Sequence, residues 1–172
     1  DVSGARMAVD HLVSLGHQSI AHVTGGNNEV AKLRKLGYEQ SMTDHGLADQ
    51  IACYEGAFTD EGGYRGAAAA LGSDRGHSAL FVANDIAAVG ALAAVADRGL
   101  QVPTDVSIVG YDGMALAALR SLSITTIAQP LARIGTEAAS LLFLRIGDPT
   151  RPPAHIGVEP RLIVRNSSGP IR

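Results

Sequence analysis

At 172 residues and 46% hydrophobic, the chain has room for one domain or two small lobes and enough apolar mass for a core without staples. Its 14 Lys and Arg are scattered and its net charge is −3, which excludes a nucleic-acid-binding face built from these residues, because phosphate neutralisation needs clustered cations. The single cysteine, Cys53, excludes an intrachain disulfide and a cysteine metal cluster, and no run of about 18 apolar residues marks a membrane span. With no signal peptide either, a soluble cytoplasmic protein is expected, and a first residue other than Met suggests a fragment.

Ala5, Ala8, Val9 and Leu12 recur at helical spacing and predict a helix over residues 4–15, stopped by Gly16. A short strand over 19–24 runs into Gly25 and Gly26. A helix over 29–45 closes at Gly46, a second strand covers 51–55, and a helix over 60–71 has Asp60 as its expected cap. A third strand over 79–83, a helix over 84–98 and a fourth strand over 106–110 follow. Beyond Gly110 the rhythm changes to a loop and short helix over 112–119 and a brief strand over 124–127. A helix from near Pro130 to Ile146 then places Leu131, Ile134, Ala138, Leu141 and Leu142 on one face. A Pro-rich loop over 147–154 and a last strand over 158–164 complete the chain. Such alternation, with Ala abundant and aromatics at 4%, predicts an α/β fold whose parallel sheet is covered by helices on both faces.

In open α/β sheets, ligands bind beyond the carboxyl ends of the strands. Those ends carry Asn27 and Asn28, Phe58 and Thr59, Asn84 and Asp85, and Tyr111 and Asp112, with Arg34 able to reach the same rim. Amides, carboxylates and aromatics together suit a neutral polyhydroxylated ligand. Each also has a plainer role: Asn84 as a helix cap, Asp112 as a turn residue, Phe58 as packing, and Arg34 on a solvated helix face. Gly25 and Gly26 do not form a phosphate-binding fingerprint. The six histidines do not cluster, and no nucleophile–base motif occurs. His22 reads as a hydrogen-bonded core histidine and Cys53 as a small buried hydrophobe.

Seven segments in order resemble the lactose-repressor/galactose-repressor family of transcription regulators. They are DVSGA with HLVSLGHQSIAHVTG, RKLGYEQSM, GAFTDEGGY, ALFVANDIAAVGA, GLQVPTDVSIVGYD, ITTIAQP and LIVRNSS. The resemblance implies a type I periplasmic-binding-protein-like core, with the effector held between two lobes. Residues 1–128 would form the carboxy-terminal lobe, 129–157 a helix and loop of an incomplete amino-terminal lobe, and 158–172 the final strand and tail. It places effector contacts on Arg34, Phe58, Asn84, Asp112, Gln129 and Leu131, and implies no metal, cofactor or catalysis. The implied partners are a sugar or related polyol, a second copy in a homodimer, and DNA through an amino-terminal helix-turn-helix missing before Asp1; no membrane is involved.

Two departures from the family pattern are Gly113, where a second acid often follows the aspartate, and the proline-free stretch before Ile124. With half a cleft, weak effector affinity is expected. The apolar face of the last helix is expected to meet a second copy or to fold back onto its own lobe. Alternative readings are the sugar-binding protein of a transporter and, more remotely, an α/β enzyme.

Overall fold

The computed structural model describes residues 1–171. Six strands form one sheet in the order β2-β1-β3-β4-β5-β6. They are β1 (Ile20–Val23), β2 (Ala52–Tyr54), β3 (Ala79–Val82), β4 (Ser107–Asp112), β5 (Thr125–Ala128) and β6 (Arg161–Ile163). The first five are mutually parallel, and β6 returns antiparallel along β5, pairing Arg161 with Ala128. Parallel strands need crossovers, and four helices supply two covering layers: α1 (Val2–Ser14), α2 (Glu29–Asp44), α3 (Asp60–Leu71) and α4 (Asp85–Ala96).

Side-chain alternation along each strand sends one set of residues to each layer. On one face, Ile20, Phe81, Val109 and Ile127 meet the α1 stripe of Ala5, Ala8, Val9 and Leu12, together with Tyr38 and Met42 of α2. On the other, Val23, Leu80, Val82 and Ile108 meet the small residues Ala67, Ala70, Ala87, Ala91 and Ala94 of α3 and α4. Those small side chains let α3 and α4 lie backbone to backbone: a Cβ at Gly63 would run into the Ala87 carbonyl, and one at Gly90 into the Asp60 carbonyl. The chain adds β2 on one side of β1 and β3 on the other, so the direction of strand addition reverses between β1 and β3.

The structure departs from the sequence expectations at several element ends. Thr59, not Asp60, caps α3, its hydroxyl accepting from the Gly62 N–H at 3.1 Å while Asp60 opens the helix. Strand β4 runs two residues further than expected, to Asp112, and β6 is confined to three residues. A fifth helix, α5 (Leu131–Gly147), has no buried residue, and Leu131, Leu142, Phe143 and Ile146 are exposed. It does not fold back onto its own sheet.

After β6 the chain crosses the amino ends of the strands and is fastened there. Ser167 exchanges backbone bonds with Ile108 and Ser123, and its hydroxyl accepts from the Thr125 N–H at 2.8 Å. His11 meets the Ser168 hydroxyl at 2.9 Å, and the ring nitrogens of His17 reach Ser78, Ser107 and the Gly169 carbonyl. Both imidazoles titrate below the usual histidine range, chiefly through burial.

His22 lies at the centre of the core. Its Nδ1 is 3.0 Å from the Phe81 carbonyl, its ring stacks on Phe81 at 4.7 Å, and its Nε2 has no hydrogen-bond partner among the described residues. Burial lowers its pKa from 6.5 to about 4, outweighing the bond to Phe81, with Lys35 and Arg34 adding to the fall. The folded chain therefore keeps His22 neutral at pH values where the unfolded chain takes up a proton. Its contribution is complete above the unfolded pKa and is lost as the pH falls, by about 2 kcal/mol between pH 6.5 and pH 5. His11, His17 and His77 shift the same way, whereas Asp85, whose pKa is raised by burial, opposes them at lower pH. Urea unfolding at the two pH values should show a smaller acid loss in His22→Phe than in the parent, and equal losses would remove His22 from the account.

Candidate functional site

The carboxyl ends of the parallel strands open into a cleft of about 700 Å³. Arg34, Phe58, Asn84, Asp112, Gln129 and Leu131 all line it, so residues spread over nearly a hundred positions of sequence are brought together. Asn28, Glu29, Val30, Gly113 and Met114 complete the wall. In the sequence Asn28 stands out at a strand end and Gly113 as a departure from the family pattern, whereas Glu29, Val30 and Met114 do not. Glu29 and Val30 had a signal in their position, one turn before Arg34 at the start of α2.

Arg34 sits well inside α2 and is 3% exposed, not on a solvated face. Its Nε donates to Asp1 Oδ1 at 3.0 Å, its Nη2 to Asp112 Oδ1 at 2.9 Å, and its Nη1 to the Ala83 carbonyl. The guanidinium lies 3.8 Å above the Tyr111 ring and 5.4 Å from that of Phe58. A buried cation is tolerable only when paired, and here each nitrogen has an acceptor. Asp1 was not anticipated, since an acid preceding the first helix carries no sign of its long-range partner.

Asp112 ends β4 at φ +102°, a region that costs a non-glycine residue about 1–3 kcal/mol. Two donors hold it there, Arg34 Nη2 and Gln129 Nε2, the latter at 2.8 Å. Behind it, Asp85 accepts from the Thr126 hydroxyl at 2.6 Å and the Met114 N–H at 2.7 Å, which pins the turn following Asp112. Asn84 serves as the α4 cap, accepting from the Ala87 N–H at 2.8 Å, and its Nδ2 points to the Phe58 carbonyl at 3.4 Å. Cap and cleft wall are thus the same residue. Phe58 lies flat against Gly25, where any Cβ would meet its ring.

The resulting chemistry is that of a receptor. Carboxylate and amide oxygens can accept from hydroxyls, amide nitrogens can donate, and Phe58, Val30, Met114 and Leu131 offer apolar surface. Among the described residues, no three His, Cys, Asp or Glu side chains converge as a metal set, and no helix is long and apolar enough to cross a membrane. Cys53 is half-buried with its thiol pushed up to about 11 by burial, so it is not an activated nucleophile.

Doubly covered parallel sheet, reversal of strand order and a polar-and-aromatic cleft at the strand ends define a ligand-binding α/β domain of the periplasmic-binding-protein type. The chain belongs to the periplasmic binding protein-like domain family, which matches residues 9–168. It is 38% identical over 111 residues to the HTH-type transcriptional repressor PurR of Haemophilus influenzae, an alignment covering 63% of this chain and 33% of that protein. The chain therefore spans about a third of the length of the curated relatives it matches. Among solved structures, a LacI transcriptional regulator from a Rhodococcus species superposes with a TM-score of 0.95 at 31% identity, covering 99% of this chain and 63% of the other. A LacI-family regulator from Enterococcus faecium with bound ribose superposes at 0.90 and 31% identity, covering 99% and 64%.

Proposed function

We propose that this chain is the effector-sensing core of a LacI-type transcription regulator, which takes a small sugar or related polyol in its cleft and does no catalysis. The observation that carries the reading is the Arg34–Asp112–Gln129 cluster set over Tyr111 and beside Phe58, in a domain whose relatives are transcription regulators. Asp112, Arg34 and Asn84 would meet ligand hydroxyls, while Phe58 and Leu131 cover an apolar ring face. Residues 1–128 form one lobe, 129–157 belong to a second, and 158–171 supply the final strand and tail. The regulator acts in the cytoplasm as a homodimer, and reaches DNA only through a separate amino-terminal head.

Gln129 gives the mechanism a physical handle. It holds Asp112 at 2.8 Å and stands two residues before α5. Arg34 and Gln129 both donate to Asp112 Oδ1, so a ligand hydroxyl that takes this oxygen competes with Gln129 and biases the path of the chain into α5. Coupling of this kind is typically worth about 1–3 kcal/mol, enough to change an operator affinity by one or two orders of magnitude.

Titrating the chain calorimetrically with a panel of neutral monosaccharides and disaccharides tests the reading. At least one should bind saturably, and Asp112→Asn should weaken it by about 1–3 kcal/mol, because the amide leaves Arg34 and a ligand hydroxyl without a charged acceptor. Full affinity in that variant would move the sugar away from this cleft, and turnover of the ligand would end the sensor reading.

A further inference from the structure

The charge balance of the cleft narrows its ligand further. Arg34 is the sole cation on its wall among the described residues; no lysine lines it. Its Nε, Nη1 and Nη2 are all engaged, by Asp1, the Ala83 carbonyl and Asp112, and Tyr111 covers one face of the guanidinium. Two of its five N–H groups remain, and an anionic ligand approaching them would lie against the carboxylates of Asp1 and Asp112. Against that one cation the wall sets two carboxylates, Asp112 on Arg34 and Glu29, while Asp1 pairs with Arg34 from outside the wall.

Helix amino ends do not redress the balance. At the starts of α2 and α4, Asn28 and Asn84 accept from the first turn, and Glu29 and Asp85 set acids against the helix dipoles. The start of α5 carries no acid, but one exposed dipole end changes anion affinity by only about two- to fivefold. Apart from the Gln129 amide, the other side chains on the wall are apolar: Val30, Phe58, Met114 and Leu131 border the cleft, and all except Phe58 expose more than a third of their surface. Such side chains have no use for a second set of hydroxyls and can be covered by an apolar substituent.

We infer that the cleft selects an uncharged glycoside carrying an apolar aglycone and rejects phosphorylated or carboxylated sugars. The inference rests on the sugar-sensor reading and adds the charge and the substituent.

The probes are matched sets built on glucose, galactose and ribose: the free sugar, its methyl glycoside, its phenyl glycoside and its terminal phosphate. Calorimetry with the whole chain at low salt should rank phenyl above methyl glycoside by about tenfold, the gain expected from covering one ring's worth of apolar area. Each phosphate should bind at least about tenfold more weakly than its parent sugar, a gap that shrinks at high salt as the carboxylates are screened. The exposed Glu29 allows a charge reversal without disturbing the core, and Glu29→Lys should narrow the gap several-fold. A phosphate that binds as tightly as its parent sugar, or a gap unmoved by Glu29→Lys, overturns the selectivity while leaving the sensor reading intact. Failure of every neutral probe to bind removes both.

Discussion

Replacing Arg34 by alanine is expected to destabilise the chain by about 3–5 kcal/mol and to abolish ligand binding, the usual outcome of removing one partner from a buried ion cluster. The guanidinium neutralises Asp1 and Asp112 simultaneously, and without it both half-buried carboxylates lose their cation. The Ala83 carbonyl also loses its donor, and the Tyr111 face loses its cover. Asp112 would then be held at φ +102° by Gln129 and the turn behind it alone. Arg34→Lys should recover part of the stability but little of the binding, because an ammonium cannot serve three separate acceptors while stacking on a ring. Urea denaturation of the two variants checks this. A loss below about 1 kcal/mol in Arg34→Ala would mean that the cluster is solvated and contributes as a surface pair does.

An effect of similar size is expected from one methyl group at the α3–α4 contact. Alanine is the better helix former by about 1 kcal/mol, so propensity alone predicts that Gly90→Ala stabilises the chain. Geometry predicts the opposite. The added Cβ would meet the Asp60 carbonyl and come within 2.7 Å of the Tyr64 nitrogen, and backbone cannot rotate aside as a side chain can. The helices must separate, uncovering the alanine layer over β3 and β4, at a cost of about 3 kcal/mol, the upper end for overpacking. Gly135, within α5, meets nothing within 4 Å, so Gly135→Ala should show the propensity gain uncontested. Thermal unfolding of both variants should give shifts of opposite sign, and a stabilised Gly90→Ala would contradict the close approach.

The contrast between these residues indicates what could be read from the sequence. Strand runs such as ALFV and the glycines closing the helices made all six strands and the four covering helices legible, because hydrophobic periodicity is local information. The cleft was legible for the same reason: polar residues stand directly after apolar strands, and parallel strands bring those ends to one edge. What the periodicity does not encode is the partner of a charge. Arg34 has the same local pattern whether it meets solvent or Asp1 and Asp112, and its burial depends on contacts up to 78 positions away. Asp85 was legible in principle, since an acid opening the otherwise apolar helix DIAAVGALAAVA is set against its dipole, yet its bond to Thr126 is a tertiary fact. Thr59 displaced Asp60 as the cap because both residue types cap well and only the backbone path decides between them. The three-residue β6 fell short of its expected length because its pairing with β5 extends over only three residues.

The path through α5 has a mechanical consequence. The chain leaves the sheet after Ala128 and re-enters at Arg161, and those two residues are paired across adjacent strands. Everything between them is therefore tethered by two strands side by side, not by one. A single tether is a swivel, free to turn about its own length. Two adjoining tethers anchored in one hydrogen-bonded pair behave as a door hinge, which resists torsion and leaves bending across the line joining them as the soft direction. Any load carried by the segment between the strands is thereby converted into a one-dimensional swing, with Asp112 and Gln129 beside the pin.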